Sequence, residues 1–526
     1  MIAQDQSEIG DLESSFEATF FVDQVLGVRR NGDGIELLLR WSTCEMTAPE
    51  IARWSRYRYK ATPKHRGNGD NTCVVKWEPT WVTRDELGPG LQKEYKLWEQ
   101  LLLQEEKKKR KDISQAGLRA GTLSLINLIF LYAGPHLSFL ADVLGVSLYT
   151  FRRLHASAGG AALALAIFHC IVGAAERGGF SFATSQNAFA FTAIMTLCVQ
   201  AVVFPVLLRV APYELALRLH QGLAFLFLYA LWCHIRFGKW FSVVYIYMAV
   251  GLFASVCLLQ LGLLLYRNRL GLSPARISVD NRAIRVRVHL RRPVTVEAGQ
   301  YINLWVSLWS CVQTHPFTVV SWSDTPQTSL DLFIEPRRGL TQDLLRLAAY
   351  GPTTSLAIWS GPHGKVLPVD RHENILLLAT GFGIAAHLPY VKKLVYHHRA
   401  RRTPVRRVHL VWQMDDFDIG IAAQPLLNEA LVEDSLRQDS ILRISIYLQS
   451  DDIQRAAFGS FGRRAAVFPG TLSLRDILEG EVAERRPGSR TVLVASVTGA
   501  VQDALKALMR DHLHDDLDLF FTEYQP

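Results

Sequence analysis

The stretches LHASAGGAALALAIFHCIVGAA at residues 154–175 and LHQGLAFLFLYALWCHI at residues 219–235 decide the fold of the middle of the chain. Neither stretch carries a formally charged residue. At about 1.5 Å per residue, each helix would cross, or nearly cross, a hydrocarbon core of about 30 Å. Each stretch also holds two histidines that are fourteen residues apart. The sequence therefore predicts two transmembrane helices that carry paired ionisable side chains.

Three further apolar stretches surround these two, at residues 120–151, 188–208 and 241–266, and only the first contains a formal charge, Asp142. Five spans are predicted. The composition agrees, because charged residues are 20% of the chain against about a quarter in ordinary soluble proteins. The net charge of +8 comes from basic residues that often flank apolar runs, which is typical of membrane edges. The seven cysteines form no CxxC pair, which argues against a zinc site or a disulfide framework.

The four histidines form two predicted ligand pairs. Fourteen residues at about 100° each fall about 40° short of four turns, so the histidines of one helix share a face and lie about 21 Å apart. With one span between them, the two helices run parallel. His155 is therefore expected at the same membrane depth as His220, and His169 at the same depth as His234. An ionisable residue inside a membrane is a functional-site hypothesis by default. Two opposed imidazoles saturate a haem iron, which favours an electron relay over an oxygen-binding centre.

These helices resemble the transmembrane core of the ferric reductase and NADPH oxidase superfamily. The run GPHLSFLADVLGVSLYTFRRL at residues 134–154 is similar to the same stretch in fungal ferric reductases. The resemblance implies two b-type haems, with the four histidines as axial ligands of the haem irons. The superfamily usually has arginines directly after the first ligand, where this chain has Ala156 and Ser157. Arg152 and Arg153 are the substitutes that the sequence offers for pairing with haem propionates.

The pattern changes after Tyr266. Residues 284–290 alternate between apolar and polar, which predicts a half-buried strand and an antiparallel sheet or barrel over about 275–365. From about residue 372 the strands become continuous apolar runs separated by helical stretches, which predicts a parallel α/β unit. These runs are residues 375–379, 408–412, 442–448 and 492–497.

The barrel region contains the run His315-Pro316-Phe317-Thr318, followed by Ser321. This run resembles the HPFTxxS flavin motif of the same superfamily, which implies that Thr318 and the local backbone hold the isoalloxazine ring of FAD. Further along, Arg338-Gly339-Leu340-Thr341 precedes a predicted helix at residues 342–349. The amide groups and the dipole of that helix can face the FAD pyrophosphate, with Arg337 or Arg338 adding positive charge.

A glycine turn, Thr380-Gly381-Phe382-Gly383-Ile384, joins the first predicted parallel strand to a helix. Such a turn brings backbone amides to a dinucleotide pyrophosphate, and this one resembles the GGxGI turn of the superfamily. NADPH is therefore the implied donor. However, Asp415 and Asp416 stand where the family commonly has a basic residue, and an acid suits a free ribose diol, so NADH is an alternative. Residues 495–497, Ala-Ser-Val, replace the family's Cys-Gly-Pro, which leaves a diverged or inactive reductase as another alternative.

The N-terminal segment resembles a chromodomain, a small reader of methylated lysine. Phe20 and Trp41 match two positions of the aromatic cage that encloses a quaternary ammonium group, whereas the third position is Cys44. A helix is predicted at residues 91–111, ending in the basic run at 107–111. A histone-tail partner is one expectation for this segment, and an interaction module without histone binding is the alternative.

Together these patterns predict a multi-domain membrane protein. The expected domains are a chromodomain-like N-terminal module and basic linker (1–115), a transmembrane haem-binding domain (116–270), an FAD-binding ferredoxin-reductase-like β-barrel (271–368) and an NAD(P)-binding α/β domain (369–526).

The expected function is transfer of electrons from cytosolic NAD(P)H through FAD and two haems to an external ferric or cupric chelate, with membrane lipid as a partner and the plasma membrane as the location. A superoxide-generating oxidase is an alternative. The predicted cofactor-binding residues are His155, His169, His220, His234, His315, Pro316, Phe317, Thr318, Arg338, Gly339, Thr341, Gly381, Gly383 and Ile384, and no residue is assigned as a catalytic acid, base or nucleophile.

Overall fold

The computed structural model of this protein describes residues 22–32, 34–53, 58–64, 72–87, 89–133, 137–211, 213–236, 240–307, 314–414, 416–436, 439–448, 464–486, 488–511 and 517–526. The chain divides into two compact units, residues 1–116 and residues 117–526.

The N-terminal unit contains two small antiparallel sheets. Its strands are β1 (Val22–Asn31), β2 (Gly34–Trp41), β3 (Cys44–Thr47), β4 (Tyr59–Lys64), β5 (Thr72–Trp77) and β6 (Thr80–Val82), and its helices are α1 (Ala48–Arg53) and the first part of α2 (Pro89–Leu131). The strand orders are β1-β2-β6 and β3-β5-β4. Tyr95 of α2 is buried against the first sheet, where its hydroxyl donates to the carbonyl of Ile35 at 3.0 Å and accepts from the Ile35 amide at 3.1 Å.

Helix α2 is longer than the sequence predicts. It does not stop after the basic run at residues 107–111 but continues to Leu131. Lys, Arg and Glu have high helix propensities, so this run gives the helix no reason to end. The last part of α2 packs along α4 (Leu148–Glu176), where the Ser124 hydroxyl donates to the Ala162 carbonyl at 2.9 Å.

Six helical segments follow α2. They are α3 (Leu137–Leu144), α4, α5 (Ser185–Cys198), α6 (Phe204–Val210), α7 (Tyr213–Ile235) and α8 (Trp240–Asn268). Among the described residues, four stretches are long and apolar enough to cross a membrane, namely Leu148–Glu176, Ser185–Val210, Leu215–Ile235 and Ser242–Asn268. Four of the five predicted spans are therefore present as continuous helices.

The first predicted span, residues 120–151, is wrong as a single helix. It is divided among the end of α2, the short α3 and the first turn of α4. Gly145 has a φ of 66°, which ends helical geometry after α3. The Ser147 side chain then accepts the Thr150 amide and begins α4 as its N-cap.

The third span contains a π-helical turn, Val199–Val203, which joins α5 to α6. Pro205 lies directly after it, at the start of α6. A proline has no amide hydrogen and its ring crowds the carbonyl four residues earlier, so the wider turn is the local consequence of this residue. Phe204 precedes the proline and lies against the ring of His220, with centroids 4.4 Å apart.

The next lobe is an antiparallel sheet, as predicted. Its strands are β7 (Ser273–Asp280), β8 (Ala283–Val294), β9 (Tyr301–Val306), β10 (His315–Thr318), β11 (Gln327–Ile334) and β12 (Thr353–His363), with α9 (Leu340–Leu347) packed on it. The strand order is β10-β9-β12-β7-β8-β11, and a bridge between Val319 and Leu332 brings the two edges together as in a barrel. Alternate apolar residues such as Val286, Val288 and Ile302 fill the interior.

The last lobe is a parallel sheet with helices on both faces, also as predicted. Its elements are β13 (Asn374–Thr380), α10 (Ile384–Arg399), β14 (Arg407–Met414), α11 (Phe417–Ser435), β15 (Leu442–Leu448), β16 (Ala465–Pro469), α12 (Leu474–Glu484), β17 (Thr491–Ser496), α13 (Gly499–Asp511) and β18 (Leu517–Phe521). The strand order is β16-β15-β14-β13-β17-β18. The order reverses at β13, and ligands of such sheets bind beyond the carboxyl ends of the strands at this switch point.

Candidate functional site

The first candidate site lies between α4 and α7, where His155 and His220 face each other. Their ring centroids are 6.2 Å apart and the ring planes are inclined by 68°. Two imidazoles bound at about 2 Å on opposite sides of one metal ion would have ring centres about 6 Å apart. The structure therefore brings this predicted pair together at a separation that suits axial ligation.

The second pair, His169 and His234, is held by backbone carbonyls of neighbouring helices. The Nδ1 atom of His169 lies 3.0 Å from the carbonyl oxygen of Gly117 in α2. The Nδ1 atom of His234 lies 3.1 Å from the carbonyl oxygen of Gln186 in α5. A metal-bound histidine typically donates its other ring N–H to such an acceptor, which sets the tautomer. Both rings therefore leave Nε2 available as a ligand.

The two pairs differ in their surroundings. The Nδ1 atoms of His155 and His220 are buried and have no hydrogen-bond partner among the described residues. Beside the other pair, a Cβ atom on Gly121 would lie 2.9 Å from the Nδ1 atom of His169, so only glycine allows this approach of α2. The four imidazoles supply the donor atoms that axial ligation of two haem irons needs, and haem binding by these residues stays a prediction.

The flavin motif forms β10, which pairs with β9 so that Thr318 lies opposite Tyr301 and His315 lies opposite Leu304. Thr318 is buried, and its hydroxyl donates to the carbonyl of Glu523 at 3.1 Å. The ring of Phe317 is part of the barrel core. The motif thus forms the strand at one end of the sheet order, and Thr318 contacts the C-terminal segment of the chain.

The turn before α9 is fixed by Thr341. Its hydroxyl donates to the carbonyl of Arg337 at 2.8 Å and accepts from the amide of the same residue at 2.6 Å. Gly339, the N-cap of α9, has a φ of 76°, which favours glycine. The start of α9 thus lies at the turn where the sequence predicts binding of the FAD pyrophosphate, which stays a prediction.

The two arginines of this turn differ. Arg337 donates to Glu335 at 2.6 Å and to the Tyr524 hydroxyl at 2.7 Å. Burial, followed by the hydrogen bond to Glu335, raises the pKa of Tyr524 to about 12, so this phenol stays neutral. Arg338 is exposed and makes no ion pair with the described residues, which favours Arg338 as the guanidinium for a phosphate.

The predicted nucleotide turn lies at the carboxyl end of β13, at the switch point of the parallel sheet. Gly381 has a φ of 51°, and a Cβ atom on Gly383 would lie 2.0 Å from the carbonyl oxygen of Ser496, which only glycine avoids. Thr380, in place of the family's first glycine, accepts the Thr498 amide through its hydroxyl at 3.0 Å. The departure at position 380 therefore ties the turn to the loop after β17.

Two acids follow β14, of which Asp415 lies outside the described residues. Asp416 is the N-cap of α11, where its side chain accepts the Asp418 amide at 3.0 Å. Its carboxylate also pairs with Arg282 of the barrel at 2.6 Å. Asp416 thus caps a helix and is paired with a cation. Because its charge is partly neutralised, it is less suited to repel the 2′-phosphate of NADPH.

The predicted methyl-lysine cage is not supported by the described part of the N-terminal unit. The indole N–H of Trp41 donates to Thr80 at 2.8 Å, and Cys44 accepts the indole N–H of Trp77 at 3.3 Å. Both described cage positions are therefore engaged in internal packing. Phe20 lies outside the described residues.

Several site residues were missed by sequence reasoning. Trp412 donates its indole N–H to the Gly381 carbonyl at 2.8 Å and so holds the nucleotide turn. Gln186 and Gly117 supply carbonyls to the histidines, and backbone acceptors have no sequence signature. Asp142 is an isolated charge in an apolar stretch, and an ionisable residue in such a stretch is the signal that could have identified it.

Comparison with known proteins agrees with this geometry. Residues 273–365 match the model of an FAD-binding domain, and residues 372–459 match that of the ferric reductase NAD binding domain. Ferric reductase transmembrane component 3 of Saccharomyces cerevisiae is 27% identical over 295 residues, which are 52% of this chain and 40% of that protein. The ferric/cupric reductase transmembrane component 2 of the same yeast is 27% identical over 328 residues, 59% of this chain and 44% of that protein. The chain thus spans less than half the length of these curated relatives.

Solved structures add little. A flavohemoglobin from Malassezia yamatoensis is 14% identical with a TM-score of 0.37, over 79% of this chain and 98% of that one. The cytochrome b5 reductase domain of Ulva prolifera nitrate reductase is also 14% identical, with a TM-score of 0.34, over 48% of this chain and 99% of that one. These scores carry no argument, so the fold assignment rests on the strand orders given above.

An antiparallel barrel that matches an FAD-binding domain, followed by a parallel sheet that matches an NAD-binding domain and preceded by four candidate membrane spans, is the arrangement expected of a membrane oxidoreductase. More narrowly, the two domain matches and the yeast relatives show that this chain is similar to ferric reductases.

Proposed function

We propose that this protein carries electrons from NAD(P)H through FAD and two b-type haems across a membrane to a ferric or cupric chelate. The observation that carries the proposal is the histidine quartet, in which His155 and His220 face each other at 6.2 Å on the side of the flavin lobe. The other pair lies about 21 Å further along the same helices. The quartet thus offers two relay positions that together span the bilayer.

The residues of the chain perform the binding and positioning. The turn at Gly381 and Gly383 would receive the nucleotide pyrophosphate, and the turn at Gly339 and Thr341 would receive that of FAD. When bound, FAD accepts a hydride and passes on single electrons, and each haem iron carries one electron at a time. Tyr524 remains neutral because burial raises its pKa to about 12, so it adds no negative charge beside the flavin motif.

The ends of the helices favour a chelate over oxygen as the acceptor. On the side of His169 and His234, α4 ends at Glu176 and α5 begins at Ser185, while α7 ends at Ile235 and α8 begins at Trp240. These two connections are too short to cover a haem on that side. An open haem edge suits a bulky ferric or cupric chelate, whereas a superoxide-generating oxidase, the alternative, is better served by a shielded oxygen pocket.

The remaining parts of the proposal concern the donor and the location. NADPH is the proposed donor, with NADH as the alternative, and the ion pair of Asp416 with Arg282 weakens the argument for NADH. We place the protein in the plasma membrane with its flavin lobe in the cytosol. The yeast relatives are ferric and ferric/cupric reductases by name, which supports the chelate as substrate.

The test is to purify the full chain in detergent and record its reduced-minus-oxidised spectrum, its FAD content and its reduction of ferric citrate under anaerobic conditions. We expect two haems per chain that NADPH reduces after the flavin. The double variant His315→Ala, Thr318→Ala should lose FAD and retain haem, whereas the exposed Thr325→Ala should retain both. Absence of any Soret change on reduction would contradict the haem relay, and superoxide formation without chelate reduction would favour the oxidase. Intact cofactors without electron transfer would indicate the inactive reductase.

A further inference from the structure

Asp142 is the only formally charged residue in the stretch 120–151. A carboxylate in so apolar a surrounding is costly unless it is paired and hydrogen-bonded. It lies in α3, just before the helix that carries His155, and its side chain is 29% exposed. Neither the histidine quartet nor the nucleotide turns use it, so it requires another explanation.

Both carboxylate oxygens of Asp142 bind one turn of the flavin lobe. Oδ1 accepts the Gly364 amide at 2.8 Å, and Oδ2 lies 2.6 Å from Nδ1 of His363. Gly364 has a φ of 106°, and a Cβ atom there would lie 3.1 Å from the ring of Tyr301. Glycine is therefore required for this amide to face α3. Hydrogen bonds to an ionised acceptor are roughly twice as strong as neutral ones.

A second polar contact holds the same strand. Asn268, the last residue of α8, is 2% exposed. Its Nδ2 donates to the Trp359 carbonyl at 2.8 Å, and its Oδ1 accepts the Trp359 amide at 3.4 Å. The side-chain amide thus pairs with β12 as a neighbouring strand would. Strand β12 is therefore attached to the helices at Trp359 and again at His363–Gly364.

The attachment matters for the flavin motif because of the strand order. β12 pairs with β9, and β9 pairs with β10, the strand of His315–Thr318. With strands about 5 Å apart, the motif lies about 10 Å across the sheet from the attached strand. A cavity of about 260 Å³ lies beside Asp142 and Gly364, so close packing does not replace the polar contacts there. A shift at β12 would move the motif with it.

We propose that Asp142 and Asn268 form a clamp that sets the position of the flavin lobe against the haem-binding helices, and that they are positioning residues for electron transfer from flavin to the inner haem. This inference rests on the proposed function. When bound, FAD and the inner haem would supply a one-electron transfer, and Asp142 and Asn268 would hold the lobe that binds the flavin against the helices that carry His155 and His220. Displacement of a reacting group by about 1 Å can slow a reaction by about 100-fold.

The clamp is tested in the full-length holoprotein with Asp142→Asn, His363→Leu, His363→Asn and the exposed control Asp503→Asn. Hydrogen–deuterium exchange of the peptide covering residues 357–366 measures attachment. Rapid-mixing spectroscopy separately measures reduction of flavin by NADPH and reduction of haem by flavin. An asparagine at position 363 keeps a hydrogen-bond donor near the position of Nδ1. It should therefore retain the hydrogen bond to Asp142 that leucine removes.

We expect exchange in this peptide to be about tenfold faster in Asp142→Asn and His363→Leu, as loss of one charge-assisted hydrogen bond predicts. Haem reduction should be slowed by about tenfold or more. Flavin reduction and the midpoint potentials should be unchanged, and His363→Asn and Asp503→Asn should behave as the wild type. If Asp142→Asn does not fold, His363→Leu against His363→Asn provides the same comparison.

Unchanged exchange in both disruptive variants would overturn the clamp. Faster exchange with unchanged haem reduction, or slower haem reduction explained by a shifted haem potential, would overturn the positioning role. A wild-type protein without haem would overturn the proposed function and this role together, and its spectrum shows that outcome before any variant is made.

Discussion

The inner and outer histidine pairs have the same spacing in sequence but different surroundings. His155 and His220 face each other with buried Nδ1 atoms that have no partner among the described residues. His169 and His234 each have a backbone carbonyl at Nδ1. Side-chain packing therefore orients the inner rings, whereas the backbones of α2 and α5 orient the outer ones. A carbonyl oxygen has two lone pairs, so it can accept a histidine N–H without leaving its helix.

The largest expected effect is the complete loss of the outer haem with retention of the inner one. His169→Ala or His234→Ala should lower the haem content from about two to about one per chain, because a haem iron in this arrangement needs both axial nitrogens. Flavin reduction by NADPH should be unchanged, since the flavin motif lies in another lobe. The measurement is haem per protein by pyridine haemochrome, with the exposed His289→Ala as the control. Two haems in either outer variant would show that the pairs are wrongly assigned.

A smaller effect, confined to the outer pair, is expected from Gly121→Ala. The added Cβ would lie 2.9 Å from Nδ1 of His169, and overpacking of this kind costs about 1–3 kcal/mol. Outer haem affinity should fall by about 5- to 150-fold, measured by haem retention on dilution. The matched control is Gly160→Ala, where a Cβ meets nothing within 4 Å. Equal behaviour of the two variants would mean that α2 does not hold the outer ring.

The inner pair has its own selective variant. Phe204 lies 4.4 Å from the His220 ring, and an aromatic pair contributes about 0.5–1.5 kcal/mol beyond burial. Phe204→Leu should therefore weaken inner haem binding by about 2- to 10-fold and leave the outer haem unchanged. Phe225→Leu, which loses a ring contact with Phe253 instead, is the control. Loss of the outer haem alone would reverse the assignment of the levels.

The smallest effect is expected at Gln186. Its side chain donates to the His234 carbonyl at 2.9 Å, while its backbone carbonyl faces Nδ1 of the same histidine. Gln186→Ala removes only the side-chain bond, which is exposed, so a loss of about 0.5–1 kcal/mol or less is expected. Outer haem affinity should change by less than about fivefold, and Gln502→Ala serves as the control. A complete loss of the outer haem would show that the side chain, not the backbone, orients His234.

The repeating patterns of the sequence were sufficient to predict the fold class. Apolar runs predicted four of the spans, and alternation predicted the antiparallel lobe before a parallel one. The prediction failed at residues 120–151, because an apolar composition does not show where a helix ends. There the positive φ of Gly145 and the Ser147 cap outweigh the apolar character of the run. The length of α2 was missed because its basic run looked like a linker, although Lys and Arg favour helix.

Some features of the candidate site could likewise be predicted from the sequence and others could not. The His155–His220 and His169–His234 pairing was predicted from helical periodicity, and the structure places the first pair face to face. Thr318 and the glycine turn were recognised from motifs, which stay predictions as binding residues. The ion pair of Asp416 with Arg282 could not be anticipated, because the partners are 134 residues apart and belong to different lobes.

The sequence by itself determined four of the membrane-length helices, the strand types and the common face of the two histidines within each helix, because these depend on periodicity within one segment. Only the tertiary structure decided which backbone carbonyls orient the outer histidines and which groups join the flavin lobe to the helices. Asp142 meets Gly364 across 222 residues of chain, and no local pattern encodes such a contact. It arises because the polar groups of an apolar junction must find partners wherever the packing of the lobes brings them.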